Sequence, residues 1–463
     1  MSSINEILAI GKGGMSVSKA LLAVAGKNMA NVNTPGYSKE YLTLSTSQFA
    51  GLGVNVEGPQ GLRNPILSDS LRNVLGNKGF FDGQIIPLMS VEPSVNDLDG
   101  NGIGKALSEF KATMQEAMAN PGSETERAAI LTSADFLTQS FNSTAKQLAE
   151  TAEKTLEQAE KLALTITSIS KDLAELNSKI AVLAHGKEPP NALLDQREQL
   201  LQKLSGLIAI DTLDVGDGTV SVFIAGGRPL VDHDLASAVK LNPPNPAPGT
   251  AVDIQIIKPS GQTMDSIGKI GGALGGMLGA HNDVIVPGLT DLDEIAFELT
   301  QQFNALHGAG VGTDGSTGTN FFEPLGIAQG SASLIKLSDQ ITNNPEKFAA
   351  AAVGGILPGD NTNLGLLLGV TDTDGAISTG KSIEGGWFDI QINFGDALGA
   401  AETGSQIESA TVDQLFNLLA GETAVSIDEE LIQMTMANQA FDAAGALIRA
   451  AEEMSSTLIN LVG

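Results

Sequence analysis

The chain has 463 residues, room for roughly two to four packed units. Its 26 Lys and Arg stand against 54 Asp and Glu, a net charge of −28, so a nucleic-acid backbone or an anionic lipid surface would be repelled over most of it. Aromatics are only 4%, which leaves aliphatic cores, and with no cysteine there is no disulfide, thiolate nucleophile or Cys-ligated zinc.

In the first segment Ile4, Leu8, Met15, Leu22, Ala25, Met29 and Val32 follow steps of three, four and seven, the spacing of a coiled-coil seam. Gly and Lys break every apolar run here before it reaches the core of a cleaved signal peptide. The longest charge-free apolar tract elsewhere, 270 to 280, is far too short and glycine-rich for a membrane span, so a soluble protein is expected. The seam ends in Asn28-Met-Ala-Asn31-Val-Asn33-Thr34-Pro35-Gly36-Tyr37-Ser38-Lys39, where Pro35-Gly36 suits the centre of a type II turn.

Asp97-Leu-Asp99-Gly-Asn101-Gly102 matches the opening of a calcium loop, but the acid needed at the twelfth position arrives one residue late, at Glu109. Asp97, Asp99 and Asn101 are therefore only a weak calcium candidate. From about 140 to 184 a heptad runs through Phe141, Leu148, Leu162, Ile169, Leu176 and Leu183, with Ala145, Ala159, Ile166, Leu173 and Ile180 beside it. That predicts a rod on the order of 65 Å long. Leu193, Leu194, Leu200, Leu201 and Leu204 form a shorter helix behind it.

The period then changes to alternation at Ile208, Ile210, Val220, Val222 and Ile224, punctuated by Asp217-Gly218 and Gly226-Gly227, which predicts a small antiparallel sheet over 206–266. Helical spacing returns from 267 to 307, with Gly271, Gly275 and Gly279 on one face suited to close helix contact. Residues 331–411 read as an irregular or β outer segment. Within them Gly375 to Ser382 matches a phosphate loop letter for letter, yet acids precede it and Ile383-Glu384-Gly385-Gly386 makes a poor helix start, so a turn between strands is expected. The histidines at 185, 233, 281 and 307 lie far apart and beside no nucleophile motif, which gives no support for an enzyme.

At the far end Ile427, Met434, Phe441 and Ile448 sit seven apart, with Leu431, Ala437, Ala444, Ala451 and Leu458 along the adjoining edge. The first 50 residues hold four lysines and two glutamates, residues 405 to 463 one arginine and nine acids, so the two ends should pair. No cation other than Arg449 is expected near Phe441. The fold class is mainly α with β insertions: a discontinuous multidomain chain with paired terminal helices (1–40 and 412–463), a long-helix unit (41–205 and 267–330), the sheet insertion and the outer segment.

The Asn28 to Lys39 segment resembles the N-terminal signature of bacterial flagellar axial proteins. The stretches 53–67, 188–204, 281–310 and 425–461 look like the first hook-associated protein family, whose members join hook to filament. Two departures stand out: Ala424-Val425-Ser426 where the family usually has a glycine, and Lys39 where relatives commonly carry Arg. The resemblance implies a homo-oligomer in a tubular assembly, built through Leu8, Met15, Leu22, Met29, Asn31, Asn33, Thr34, Pro35, Gly36, Tyr37, Ile427, Leu431, Met434, Phe441, Ile448 and Leu458. It further implies the hook protein, a second hook–filament junction protein and an export chaperone as partners, type III export to the extracellular flagellum, and no cofactor, nucleic acid or membrane. The free ends should stay poorly ordered until neighbours complete their seams. A secreted acidic calcium-binding adhesin is the competing reading, disfavoured because glycine–aspartate repeats are absent.

Overall fold

A computed structural model describes residues 2–46, 54–97, 100, 102–184, 190–243, 249–264 and 269–462. The chain opens with α1 (Ser2–Ala30), a hairpin of β1 (Glu40–Thr46) and β2 (Val54–Gly61), then α2 (Pro65–Val95), α3 (Ile103–Ala119), the 61-residue α4 (Glu124–Ala184) and α5 (Asn191–Leu207). α4 is longer than its heptad suggested because Arg127, Ile130, Ala134 and Leu137 extend the buried row toward its amino end. At 1.5 Å per residue it spans about 90 Å.

The expected sheet insertion is present as two antiparallel sheets. β3 (Asp211–Asp214), β4 (Val220–Ile224), β5 (Arg228–Asp232) and β6 (Leu235–Ala236) make one, and β7 (Ala238–Asn242), β8 (Asp253–Ile257) and β9 (Thr263–Met264) the other. Val222, Ile224, Leu230, Val231, Ile254 and Ile256 bury against Ala159, Ala163, Ile166 and Leu173 of α4, so the rod backs the sheets.

α6 (Gly272–Gly279) continues through a π turn at 280–285 into α7 (Val286–Ala309). Of the glycines expected to allow close approach, Gly271 does so, since a methyl there would lie 2.7 Å from Ala209 just after α5, but the contact with α2 uses others. A methyl on Gly276 would overlap the carbonyl oxygen of Phe80 in α2, and one on Gly83 that of Ala273, whereas Gly279 keeps 3.5 Å from its nearest neighbour, the Gln84 side chain. Gly275 faces the carbonyl of Ile270 in its own loop.

The outer segment departs furthest from expectation. Residues 331–411 hold no strand; they contain α8 (Ser331–Leu334), α9 (Thr362–Leu368) and most of α10 (Ile383–Thr423), 41 residues long. Ile383, Trp387, Ile390, Phe394, Leu398 and Ala401 give α10 a helical buried row that its many glycines disguise. Those glycines serve packing: a methyl on Gly404 would lie 2.6 Å from the Phe81 ring. The phosphate-loop match sits before α10, and a helix does start behind it, contrary to expectation, because the Ser382 hydroxyl caps it by accepting the Gly385 N–H. No strand enters the loop, the Ser378 N–H donates to Glu294, and Lys381 pairs with Asp389. Asp97 faces the amino end of α3, where the amides of Gly104 and Lys105 approach its carboxylate. Asp99 and Asn101 lie outside the described residues.

The largest core gathers Phe110, Phe303, Phe321, Phe322 and Phe348 around His307. The His307 ring is fully used: Nδ1 bonds the Thr319 carbonyl at 2.7 Å and Nε2 accepts the Ala349 N–H at 3.0 Å. Burial above all, opposed by the Thr319 bond and aided by the Arg127 charge, pushes it down to about 4.

Two expectations follow. Gly276→Ala should destabilise by about 3 kcal/mol, and Gly279→Ala, in the same helix, should be neutral or stabilising, as read from chemical denaturation. For His307 the unfolded chain takes up the proton first. Its contribution is complete above the ordinary value of 6.5 and is lost as pH falls toward 4, by at most about 3 kcal/mol. The fall in stability across that window should be shallower in His307→Gln, and an unchanged slope would show that the ring plays no part.

Candidate functional site

The chain ends close on each other. α11 (Ile427–Val462) runs antiparallel to α1: Gly11 meets Ile448, Gly14 meets Ala444, and the Lys19 ammonium lies 5.8 Å from the centre of the Phe441 ring. Lys19 is thus the cation near Phe441 that sequence reasoning missed. The seam is filled by small side chains: Gly11, Ser18 and Ala25 of α1 and Ala437 and Ala451 of α11 are buried, with Leu8, Met15, Leu22, Met29, Met434, Phe441 and Ile448 half-buried along it. A methyl on Gly11 would come within 2.6 Å of Ile448, and one on Gly14 within 3.2 Å of Ala444. Each seam is therefore partly covered by the other end of its own chain, with its larger side chains left half-buried. Ile427, Leu431 and Leu458 stand outside it, 45 to 50% exposed; buried Glu430, a full heptad before Ala437, takes the position assigned to Leu431. α1 is also long and apolar enough to cross a membrane by length and composition, a property hidden from a search for lysine-free tracts.

Between α1 and the body lies a polar joint. Asn31 Nδ2 donates to the Lys27 carbonyl at 2.9 Å, and Thr34 Oγ1 donates to Asn31 Oδ1 at 3.2 Å. The Tyr37 N–H closes a turn on the Thr34 carbonyl, and Gly36 has φ +75°, as a type II turn requires; Asn33 is exposed. Buried Asn28 pins the start of β1: its Nδ2 donates to the Glu40 carbonyl, and its Oδ1 accepts from the Glu40 N–H and the Tyr37 hydroxyl. Burial, with Glu40, Asp195 and Glu430 nearby, raises the Tyr37 phenol and keeps it a donor.

The amino end of α5 supplies the other half. Asp195 accepts from the Ser38 N–H (3.2 Å), the Ser38 hydroxyl (2.8 Å) and Arg63 (2.6 Å). Asn191 accepts the Gly61 N–H and donates to the Pro59 carbonyl and to Glu40. Gln199 donates to the Pro35 carbonyl at 2.8 Å. On the far side the Lys39 N–H donates to the Thr423 carbonyl, and its ammonium reaches Glu429 at 2.5 Å and Glu430 at 3.6 Å, contacts that raise its pKa, the Glu429 bond foremost. The one-sided geometry is what lysine in place of arginine allows. α10 passes unbroken through residue 412, the expected edge of the terminal unit, and the corner falls at 424–426, where Ser426 begins α11. Asn28, Glu40, Arg63, Asn191 and Asp195 were not singled out from sequence, although four of the five lie inside the stretches that carry the family resemblance.

Residues 88–322 match the family profile of the flagellar hook-associated protein FlgK helical domain, and 422–461 that of the flagellar basal body rod FlgEFG protein C-terminal region. Flagellar hook-associated protein 1 of Bacillus subtilis is 25% identical over 97% of this chain and 96% of its own. The protein of that name from Salmonella typhimurium is 23% identical over 67% of this chain and 58% of its own. The structure of the flagellar hook junction protein FlgK from Burkholderia pseudomallei superposes with a TM-score of 0.61 at 15% identity, covering 77% of this chain and all of that one. With one profile spanning half of its length, this chain belongs to the flagellar hook-associated protein FlgK family.

Proposed function

We propose that the protein is a structural subunit that polymerises at the distal end of the flagellar hook and joins hook to filament. The observation that carries this reading is the closure of both chain ends into one helix pair, attached to the body through a polar joint and still bearing exposed apolar residues such as Ile432, Met436 and Ile459. In this reading the helix pair forms the axial core of a tubular homo-oligomer, the long-helix unit a middle layer, and the sheets of 206–266 the outside. Its neighbours are the hook protein and a second junction protein. It leaves the cell unfolded through the flagellar type III channel with an export chaperone, and a chain without cysteine has no crosslink to obstruct that passage. The role is assembly rather than catalysis, and the hook-associated names of the relatives leave the calcium-binding adhesin without support.

Micrographs of cells lacking the protein should show hooks without filaments, and filaments of normal number in such cells would refute the proposal. Asp195→Ala tests the joint, because it leaves the partly buried Arg63 unpaired and releases Ser38. It should cost about 3 kcal/mol and make α1 and α11 sensitive to proteases while 65–420 resists. Equal resistance of both parts would mean that the joint does not hold the helix pair.

A further inference from the structure

α1 and α11 spend only part of their surfaces on each other. Outside the shared seam α11 carries a second row, Met436, Ala440, Ala443, Leu447, Ala450 and Met454, spaced by four, three, four, three and four and exposed throughout. α1 carries a row of a different kind. Lys12, Ser16, Lys19, Ala23 and Lys27, spaced by four, three, four and four, are all exposed, and the small residues between the lysines leave a smooth basic strip.

The charges of the two helices are opposite and largely unspent. α1 has three lysines to one glutamate, α11 six acids to one arginine. Lys27 pairs with Glu40, and Glu429 and Glu430 with Lys39. Among the described residues, Lys12, Asp442, Glu452 and Glu453 take part in no ion pair. Since both rows are exposed within the chain, they do not cover each other there.

We infer that the alanine-rich row of acidic α11 receives the basic row of α1 from a second copy of this chain. This rests on the assembly reading above and adds the faces that meet. Two different patches make a head-to-tail contact, which repeats around or along an axis instead of stopping at a dimer. Alanines on one side and Ser16 and Ala23 on the other let the helices approach closely, while the long lysine side chains reach toward Glu453 and Asp442, on the border of the row away from the shared seam.

The test uses two variants expressed in cells lacking the wild-type protein: Lys12→Glu with Lys19→Glu, and Asp442→Lys with Glu453→Lys. Each alone brings like charges together at every such contact and should lower filament number more than about tenfold. Expressed together, the two place opposite charges at every contact between unlike copies and should restore filaments. A defect inside one chain, such as loss of Lys19 from the Phe441 ring, would persist in the mixture. Normal filaments from either variant alone, or a mixture no better than its parts, would overturn the inference. If cells without any copy grew filaments, the assembly reading would fall instead.

Discussion

Asp195 is the side chain on which distant stretches of this chain depend. Its carboxylate takes the backbone and hydroxyl of Ser38 and the guanidinium of Arg63, so the exit of α1, the end of the β1–β2 hairpin and the start of α5 share one buried charge. Charge-assisted bonds of this kind are short and directional, and a carboxylate with three donors offsets its own desolvation. Asn191, one helical turn earlier, holds β2 through neutral bonds, accepting the Gly61 N–H and donating to the Pro59 carbonyl. The core around Phe303 and the core shared by the long rod and the sheets contain none of the joint's polar side chains.

The helix pair solves a different problem. Two long helices with bulky side chains at every seam position would stand apart; here Gly11, Gly14, Ser18 and Ala25 bring α1 against Ala437, Ala444 and Ala451. Close approach gives many weak dispersion contacts and little hydrophobic transfer, which leaves the larger apolar side chains, Ile432 and Met436 among them, facing outward. A pairing held this way is specific in register while much of its apolar surface stays uncommitted.

What sequence could reveal follows from the same facts. The row through Phe141, Leu148, Ile169 and Leu176 is apolar and regular, so α4 was legible, as were the alternating strands from Val220 onward. α10 was not, because glycines at 385, 386, 395, 399 and 404 read as loop when considered singly, and only the packing of Ile377 and Ile295 on Gly386 and of Phe81 on Gly404 explains two of them. The seam of α1 was half legible: Leu8, Met15 and Leu22 mark one line, but Gly11 and Ser18, which mark the other, carry no hydrophobic signal. The joint was invisible as a site, since Asn28, Arg63 and Asp195 are commonplace polar residues until the fold brings positions 38 and 195 together.

The scarcity of aromatics also divides the optical signals of the molecule. Its single tryptophan, Trp387, is buried at the start of α10 against Gly104 of α3, whereas its two tyrosines, Tyr37 and Tyr41, belong to the joint and the adjoining strand. No tryptophan or tyrosine lies on α1 or α11. Indole emission therefore follows the body alone and tyrosine the joint, so separation of the helix pair and melting of the core have distinct spectroscopic signatures in the unmodified chain.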